Sequence, residues 1–344
     1  MNILFDLGHP SHVHLFKNFL FYLKQTAHNL CIVTRNKDVT NQLLNYYELP
    51  YMCLTNAQNT GLSMLGELIV RDFKLLKLHH KIAFDMAFGT SVSIGLLSCL
   101  SNVASFSFCE DDDDIIPVQA MIAYPFSTRI INPENLRYKR YAKKRVFHNS
   151  YHELAYLHPN NFQPDISILA KYDLIPGEYV IIRNSALRAH HDIGIRGIGT
   201  DLRHKMFEMI KGHSIVYTAE AEPSPRIDPW DMHDIMAFAK LLITDSQSMS
   251  MEASVLGLPN IRYNSFVGKI TVLEELEHRY GLSTGFKPGD EQALLAALRH
   301  FLNNQNLHKE WLIKRDRMLS EKADFNQWMI AFFENECSKR RGRS

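Results

Sequence analysis

Residues 243–259 read ITDSQSMSMEASVLGLP. An apolar strand end, Leu241-Leu242-Ile243, runs into four polar residues, Asp245 to Ser248. A helix follows that must bury Met249, Ala253 and Leu256. Strand, polar turn and helix in that order are the elementary step of a β-α-β unit. A helix that starts at a strand's carboxyl end leaves its first N–H groups unbonded, and they favour an anion. Ser and Asp are also ordinary N-cap residues, so Ser246 and Ser248 read either as caps or as phosphate ligands. Glu252 adds to the question. A capping box needs its acid three residues after the cap, and Glu252 is four after Ser248 and six after Ser246. Its carboxylate either favours the helix dipole or accepts both hydroxyls of a ribose whose diphosphate sits on the helix end.

The same rhythm runs outward in both directions. Strand patterns lie near 2–6, 30–34, 51–54, 83–88, 104–108 and 128–132, with helical stretches such as 13–25, 61–80 and 90–100 between them. The second half repeats it, with strands at 179–183, 214–218, 241–244, 260–263 and 283–286. Its helices fall near 200–211, 231–239, 249–256, 268–279 and 290–303. Such alternation means parallel sheets. Between the halves, Pro159, Pro164, Pro176 and Gly177 punctuate a stretch without long periodicity. The expected organisation is an N-terminal Rossmann-like domain over 1–160, a linker over 161–178 and a second such domain over 179–325. A C-terminal helix and basic tail over 326–344 complete it, with 306–338 amphipathic and able to pack back across the first domain. Two doubly wound domains joined there would leave an interdomain cleft at the carboxyl ends of their sheets, where ligands bind in such folds.

A length of 344 residues suits two domains. With 38 basic and 37 acidic residues there is no global field to draw nucleic acid. The run Lys339 to Arg343 reads first as a frayed tail, leaving a weak peripheral membrane contact open. Five cysteines, odd in number and scattered without metal-ligand spacing, are expected to be buried thiols in a reducing compartment. Neither a signal-peptide pattern nor a membrane span is apparent, so the expected location is cytoplasmic.

Other turns carry candidate chemistry. FDLGHPSHVHLF, residues 5–16, places Asp6, Gly8, His9, His12 and His14 after the first strand. It lacks the glycines of a dinucleotide fingerprint, and its spacing gives little reason to expect a metal. Histidine suits proton transfer near neutral pH, so His9, His12 and His14 are candidate bases, against the alternative that some of them cap or pack. RNSALRAHHDIGIRG, residues 183–197, gathers Arg183, Arg188, His190, His191 and Asp192, which suits a diphosphate or a plain surface loop. CEDDDD, residues 109–114, reads mainly as a solvated loop, with Glu110 and Asp111 best placed for acid–base work. Gly89-Thr90-Ser91 form a further strand-to-helix turn.

HPSHVHLFKNFL, YLHPNNFQPDISIL, RNSALRAHHDIG and TDSQSMSMEASVLGLP, in that order, resemble the DUF354 family to about residue 290. The resemblance implies a GT-B fold related to UDP-N-acetylglucosamine 2-epimerases and MurG-like glycosyltransferases. In those relatives the segment matching 245–253 reads Asp-Ser-Gly-Gly, three residues, then Glu-Ala. Its backbone holds the nucleotide diphosphate and its glutamate the ribose. Asp245, Ser246, Glu252 and Ala253 match, while Gln247 and Ser248 replace the glycines. The epimerases' first-turn Arg-Pro-Glu is absent, with Gly8-His9-Pro10-Ser11-His12 in its place.

The expectation is therefore a metal-independent, GT-B-type glycosyltransferase-like protein without a cofactor. It would take a nucleotide sugar, UDP-linked by the resemblance, and a glycan or lipid-linked sugar acceptor in surface polysaccharide synthesis. The rivals are a UDP-N-acetylhexosamine 2-epimerase-like enzyme, served by His190, His191, Asp192 or Glu110, and a non-catalytic nucleotide-sugar-binding protein.

Overall fold

Both sheets grow from apolar runs without strict alternation, as strands covered on both faces require. The computed structural model describes residues 1–58, 61–184, 198–219 and 227–341. The chain forms two compact units, Met1–Tyr156 with Ala323–Ser344, and Leu157–Lys322.

The first unit holds strands β1 (Asn2–Leu7), β2 (Asn29–Asn36), β3 (Met52–Asn56), β4 (Met86–Gly89), β5 (Ala104–Phe108), β6 (Arg129–Pro133) and β7 (Arg145–His148). They pair in parallel in the order β3-β2-β1-β4-β5-β6-β7. Helices α1 (Pro10–Lys24), α2 (Thr40–Tyr46), α3 (Gly61–Ile82), α4 (Val92–Cys99) and α5 (Pro117–Ile122) connect them. The strand order reverses at β1 and β4, so the turns after these two strands flank the switch point, where open sheets bind ligands. Phe5 on β1 packs against Phe16 and Phe19 of α1 and stacks on Phe88 of β4, which fixes α1 over the sheet centre. Helix α3 ends at Ala83, whose left-handed φ of 54° and N–H bond to the His79 carbonyl delay β4 to Met86.

The second unit carries β8 (Tyr179–Asn184), β9 (Ser214–Ala219), β10 (Leu241–Thr244), β11 (Asn260–Tyr263) and β12 (Thr284–Phe286), parallel in the order β12-β11-β10-β8-β9. Its helices are α6 (Thr200–Met209), α7 (Met232–Ala237), α8 (Gln247–Leu256), α9 (Thr271–Glu274), α10 (Glu291–Asn303) and α11 (Leu307–Glu321). Here the reversal lies at β8 and β10. Residues 161–178 lie within this unit and include a 3-10 turn at Ile166–Tyr172.

The amphipathic stretch 306–338 is two helices. Lys322 is extended, and the Asp324 carboxylate accepts the N–H groups of Asn326 and Gln327 to start α12 (Phe325–Arg341). Helix α12 belongs to the first unit, where Phe333 meets Phe19 and Phe88 and Phe332 meets Phe106.

The cysteines do not all follow expectation. Cys109 and Cys337 are buried, but Cys53 and Cys99 are exposed and Cys31 is half-buried. Cys53 lies on β3, the edge strand, and Cys99 closes α4, so apolar neighbours in sequence did not place them in the core. Among the described residues no helix is long and apolar enough to cross a membrane.

Candidate functional site

In the first unit the turn after β1 is built around a buried carboxylate. Asp6 is fully buried, pairs with Arg71 of α3 and accepts the Ser91 hydroxyl from the turn after β4. Gly89 permits this closeness, because a Cβ there would lie 2.9 Å from the Asp6 carbonyl oxygen. Burial lowers the Arg71 guanidinium to about 10, so it stays charged at neutral pH. The two switch-point turns are thereby tied together.

His9 is the N-cap of α1. Its Nδ1 accepts the Ser11 N–H at 3.2 Å and lies 2.7 Å from the Ser11 hydroxyl. An accepting Nδ1 requires the uncharged ring. His12, one turn on, brings Nε2 to 2.7 Å from the Thr90 hydroxyl. Burial first, then His9, Lys37, Arg35 and His152, hold the His12 pKa well below the ordinary imidazole value. His14 does not join this group. Two residues along a helix is more than half a turn, and the ring is buried, stacked on Tyr156 at 5.3 Å and edge-on to Tyr47. Gly8 is buried at the turn, and its carbonyl accepts Arg35 Nε at 3.3 Å.

Glu110, after β5, accepts the His152 N–H at 3.1 Å and lies 3.4 Å from its Nδ1. Burial pushes His152 down to about 3, so its ring is uncharged at neutral pH, stacked on Phe325. The rest of CEDDDD is not the solvated loop expected. Asp112 and Asp113 are buried. Asp112 accepts the Arg137 N–H and pairs with its guanidinium, and Asp113 pairs with Arg145. A run of acids stays dry when a basic segment, here 137–145, supplies its donors.

In the second unit the opening turn follows β10. Ser246 is the N-cap of α8, its hydroxyl accepting the Met249 N–H at 3.4 Å. Thr244 Oγ1 accepts the Ser246 N–H, the Asp245 carbonyl accepts Asn264 Nδ2, and the Asp245 N–H bonds to the Arg183 carbonyl of β8. No residue from Asp245 to Ser248 has positive φ, so glycine is not needed for this backbone. As the first two helical residues, Gln247 and Ser248 have no carbonyl one turn back for their N–H groups. The Ser248 side chain is exposed.

Helix α8 buries a polar face. Ser250 and Ser254 bond within a network through Asn260 and Ser283, which ties the helix to β11 and to the start of β12. Glu252 is buried too, its Oε1 3.0 Å from Nε2 of His233 on α7. The glutamate is thus oriented by a histidine, where a capping box would have left it at the helix end. His233, His152, Arg71 and Arg35 were not among the candidates. Each meets its partner across a long stretch of chain, and only the polar character of the turns hinted at the sites.

Arg188, His190, His191 and Asp192 lie outside the described residues. Among the described residues no group of three or more His, Cys, Asp or Glu could hold a metal ion.

No family model and no curated protein matches the chain. Solved structures do. The chain is similar to S. aureus MnaA solved with UDP, with a TM-score of 0.68 at 13% identity over 97% of each chain. It is similar to the Neisseria meningitidis UDP-GlcNAc 2-epimerase bound to UDP-GlcNAc, with a TM-score of 0.67 at 12% identity, covering 90% of this chain and 94% of that one. The spinosyn forosaminyltransferase SpnP gives 0.62 at 11% identity, covering 98% and 99%. At such identities the likeness is one of fold: the two-domain, Rossmann-like GT-B fold of epimerases and glycosyltransferases.

Proposed function

We propose that the chain is a UDP-sugar enzyme of the metal-independent glycosyltransferase type, with a glycan or lipid-linked sugar as acceptor. The observation that carries this reading is the buried Glu252–His233 pair on the helix that starts at the switch point of the second sheet. A carboxylate held in place by a side-chain partner is preorganised to accept two neighbouring hydroxyls, as a ribose offers. The N–H groups of Gln247 and Ser248 and the positive end of α8 would receive the diphosphate and stabilise it as it leaves. Arg183, at the end of β8 and joined to the turn where its carbonyl accepts the Asp245 N–H, would add charge there.

The first unit would supply proton transfer. His12 is uncharged at neutral pH, which a general base must be, and the Thr90 hydroxyl lies within hydrogen-bond distance of both its ring nitrogens. The acceptor hydroxyl would give its proton to His12. Its oxygen would form the new bond to the anomeric carbon as the bond to the nucleotide diphosphate breaks, with inversion. His9 then acts as helix cap and neighbour, and His14 as a packing residue.

A second reading, the 2-epimerase, draws on the placement of Glu110 against His152 as an acid–base couple. Calorimetric titration with UDP and UDP-GlcNAc, on wild type and Glu252→Ala, tests the common premise. Binding lost in the variant supports it, and absence of UDP binding in wild type removes it. Incubating UDP-GlcNAc with the protein alone then separates the two chemistries, since only an epimerase alters the sugar without an acceptor.

A further inference from the structure

Helix α3 has an inner face that the fold uses and an outer face that it leaves bare. Glu67, Arg71, Leu75 and Leu78 point inward. Outward, Leu62, Leu65, Ile69, Val70 and Phe73 are 88%, 55%, 62%, 49% and 70% exposed. Apolar residues scattered singly on a surface need no explanation, but a stripe at helical spacing marks an interaction face. The exposed face continues into the last two turns as Lys74, Lys77, His80 and Lys81. Both acids of the helix turn away from it. Glu67 pairs with Arg35 and Thr55, and Asp72 lies between Arg71 and Ser93. Among the described residues none of these lysines is in an ion pair with a carboxylate.

We propose that α3 is a membrane-surface helix, its Leu62–Phe73 stripe entering the headgroup–acyl boundary of an anionic bilayer while Lys74, Lys77, His80 and Lys81 meet lipid phosphates. The argument for lipid is charge. A large apolar stripe with a cationic run and no acid is the composition of interfacial helices. A second copy would bring the same lysines, Lys74 on the Leu54 carbonyl and Lys77 and Lys81 exposed, and no carboxylate from this face to receive them. At 22 residues the helix has the length to span, but it is not apolar enough, so it lies at the surface. Apolar residues fill its N-terminal half and cations its C-terminal half. It therefore sits tilted, the first turns deeper and the last at phosphate level. This role is separate from the basic tail and does not rest on the nucleotide-sugar reading.

The test is co-flotation of the full chain, without nucleotide, on phosphatidylglycerol–phosphatidylcholine vesicles and on pure phosphatidylcholine vesicles. Wild type is expected to float with the anionic vesicles, less so at high salt. Ile69→Glu with Phe73→Glu should abolish flotation. Lys77→Ala with Lys81→Ala, which alters only solvated side chains, should weaken it roughly thirtyfold. Far-UV circular dichroism and gel filtration check that both variants keep the fold. Arg340→Ala with Arg341→Ala and Arg343→Ala should still float. The proposal is overturned by wild type that ignores anionic vesicles or by α3 variants that float like wild type. Loss of flotation on the tail changes alone overturns it too. So does a wild-type dimer that Ile69→Glu with Phe73→Glu converts to monomer while no species binds vesicles.

Discussion

The turns after β1 and β10 occupy equivalent places, each beside the reversal of strand order in its own sheet, yet they are built oppositely. The β10 turn is closed through its backbone: Ser246 caps Met249, Thr244 accepts the Ser246 N–H, and the Asp245 N–H and carbonyl bond to Arg183 and Asn264, while Glu252, further along α8, finds a partner on the preceding helix. The β1 turn is closed by distant residues. Asp6 reaches Arg71, 65 positions away, and His12 reaches Thr90, 78 positions away. The first design holds backbone N–H groups in fixed places, which the proposed function would use to receive an anion. The second gathers titratable rings whose charge state the surrounding core sets. Binding suits the one and proton transfer the other.

The largest effect should come from opening the long-range turn. Arg71→Ala leaves Asp6 as an uncompensated buried charge and should cost about 3–5 kcal/mol, read as an earlier urea transition of the first unit. If the loss is under ~1 kcal/mol, the surface range, Asp6 is solvated and the contrast fails. Next, Glu252→Ala should weaken UDP binding by about 100-fold, the loss of two charge-assisted hydrogen bonds. The change removes a buried partner of His233, so thermal melting should accompany the calorimetry. Third, His12→Gln should lower turnover by about 100-fold while leaving UDP affinity unchanged. Weakened UDP affinity in that variant would assign the first unit a binding role instead.

Acid sharpens the same comparison. His12 and His152 have folded-state pKa values below the unfolded value, the latter at about 3. The unfolded chain therefore binds their protons first, at about pH 6.5. The stability these rings provide is complete above that pH and is lost as pH falls toward the folded value. Melting temperatures between pH 7 and pH 5 should fall less steeply in a His12→Gln, His152→Gln variant than in wild type. The smallest expected change is Ser246→Ala, which removes one cap and should cost about 1 kcal/mol, with α8 otherwise intact.

The sequence showed what is local. Strands at 104–108, 241–244 and 260–263 match their observed ends, because an apolar run cut by a polar turn is set by near neighbours. Helices α2 and α5 and strand β7 escaped, each too short to show a period. CEDDDD looked solvated because Arg137 and Arg145 lie beyond any local window. Ser246 and Glu252 stood out by type and spacing, but His233 did not, since only the packing of α7 on α8 makes it a partner.

Helix α12 has a consequence for synthesis. The second unit is one continuous stretch, 157–322, whereas the first is closed by α12, which follows that stretch in sequence. Until α12 has been made, the aromatic cluster around Phe19 and Phe88 lacks Phe333. The second unit needs no segment from outside its own stretch, whereas the first cannot be completed by its N-terminal part alone, so synthesis order does not complete the first unit before the second. A released chain truncated after Lys322 should show a protease-resistant second half and a protease-sensitive first one.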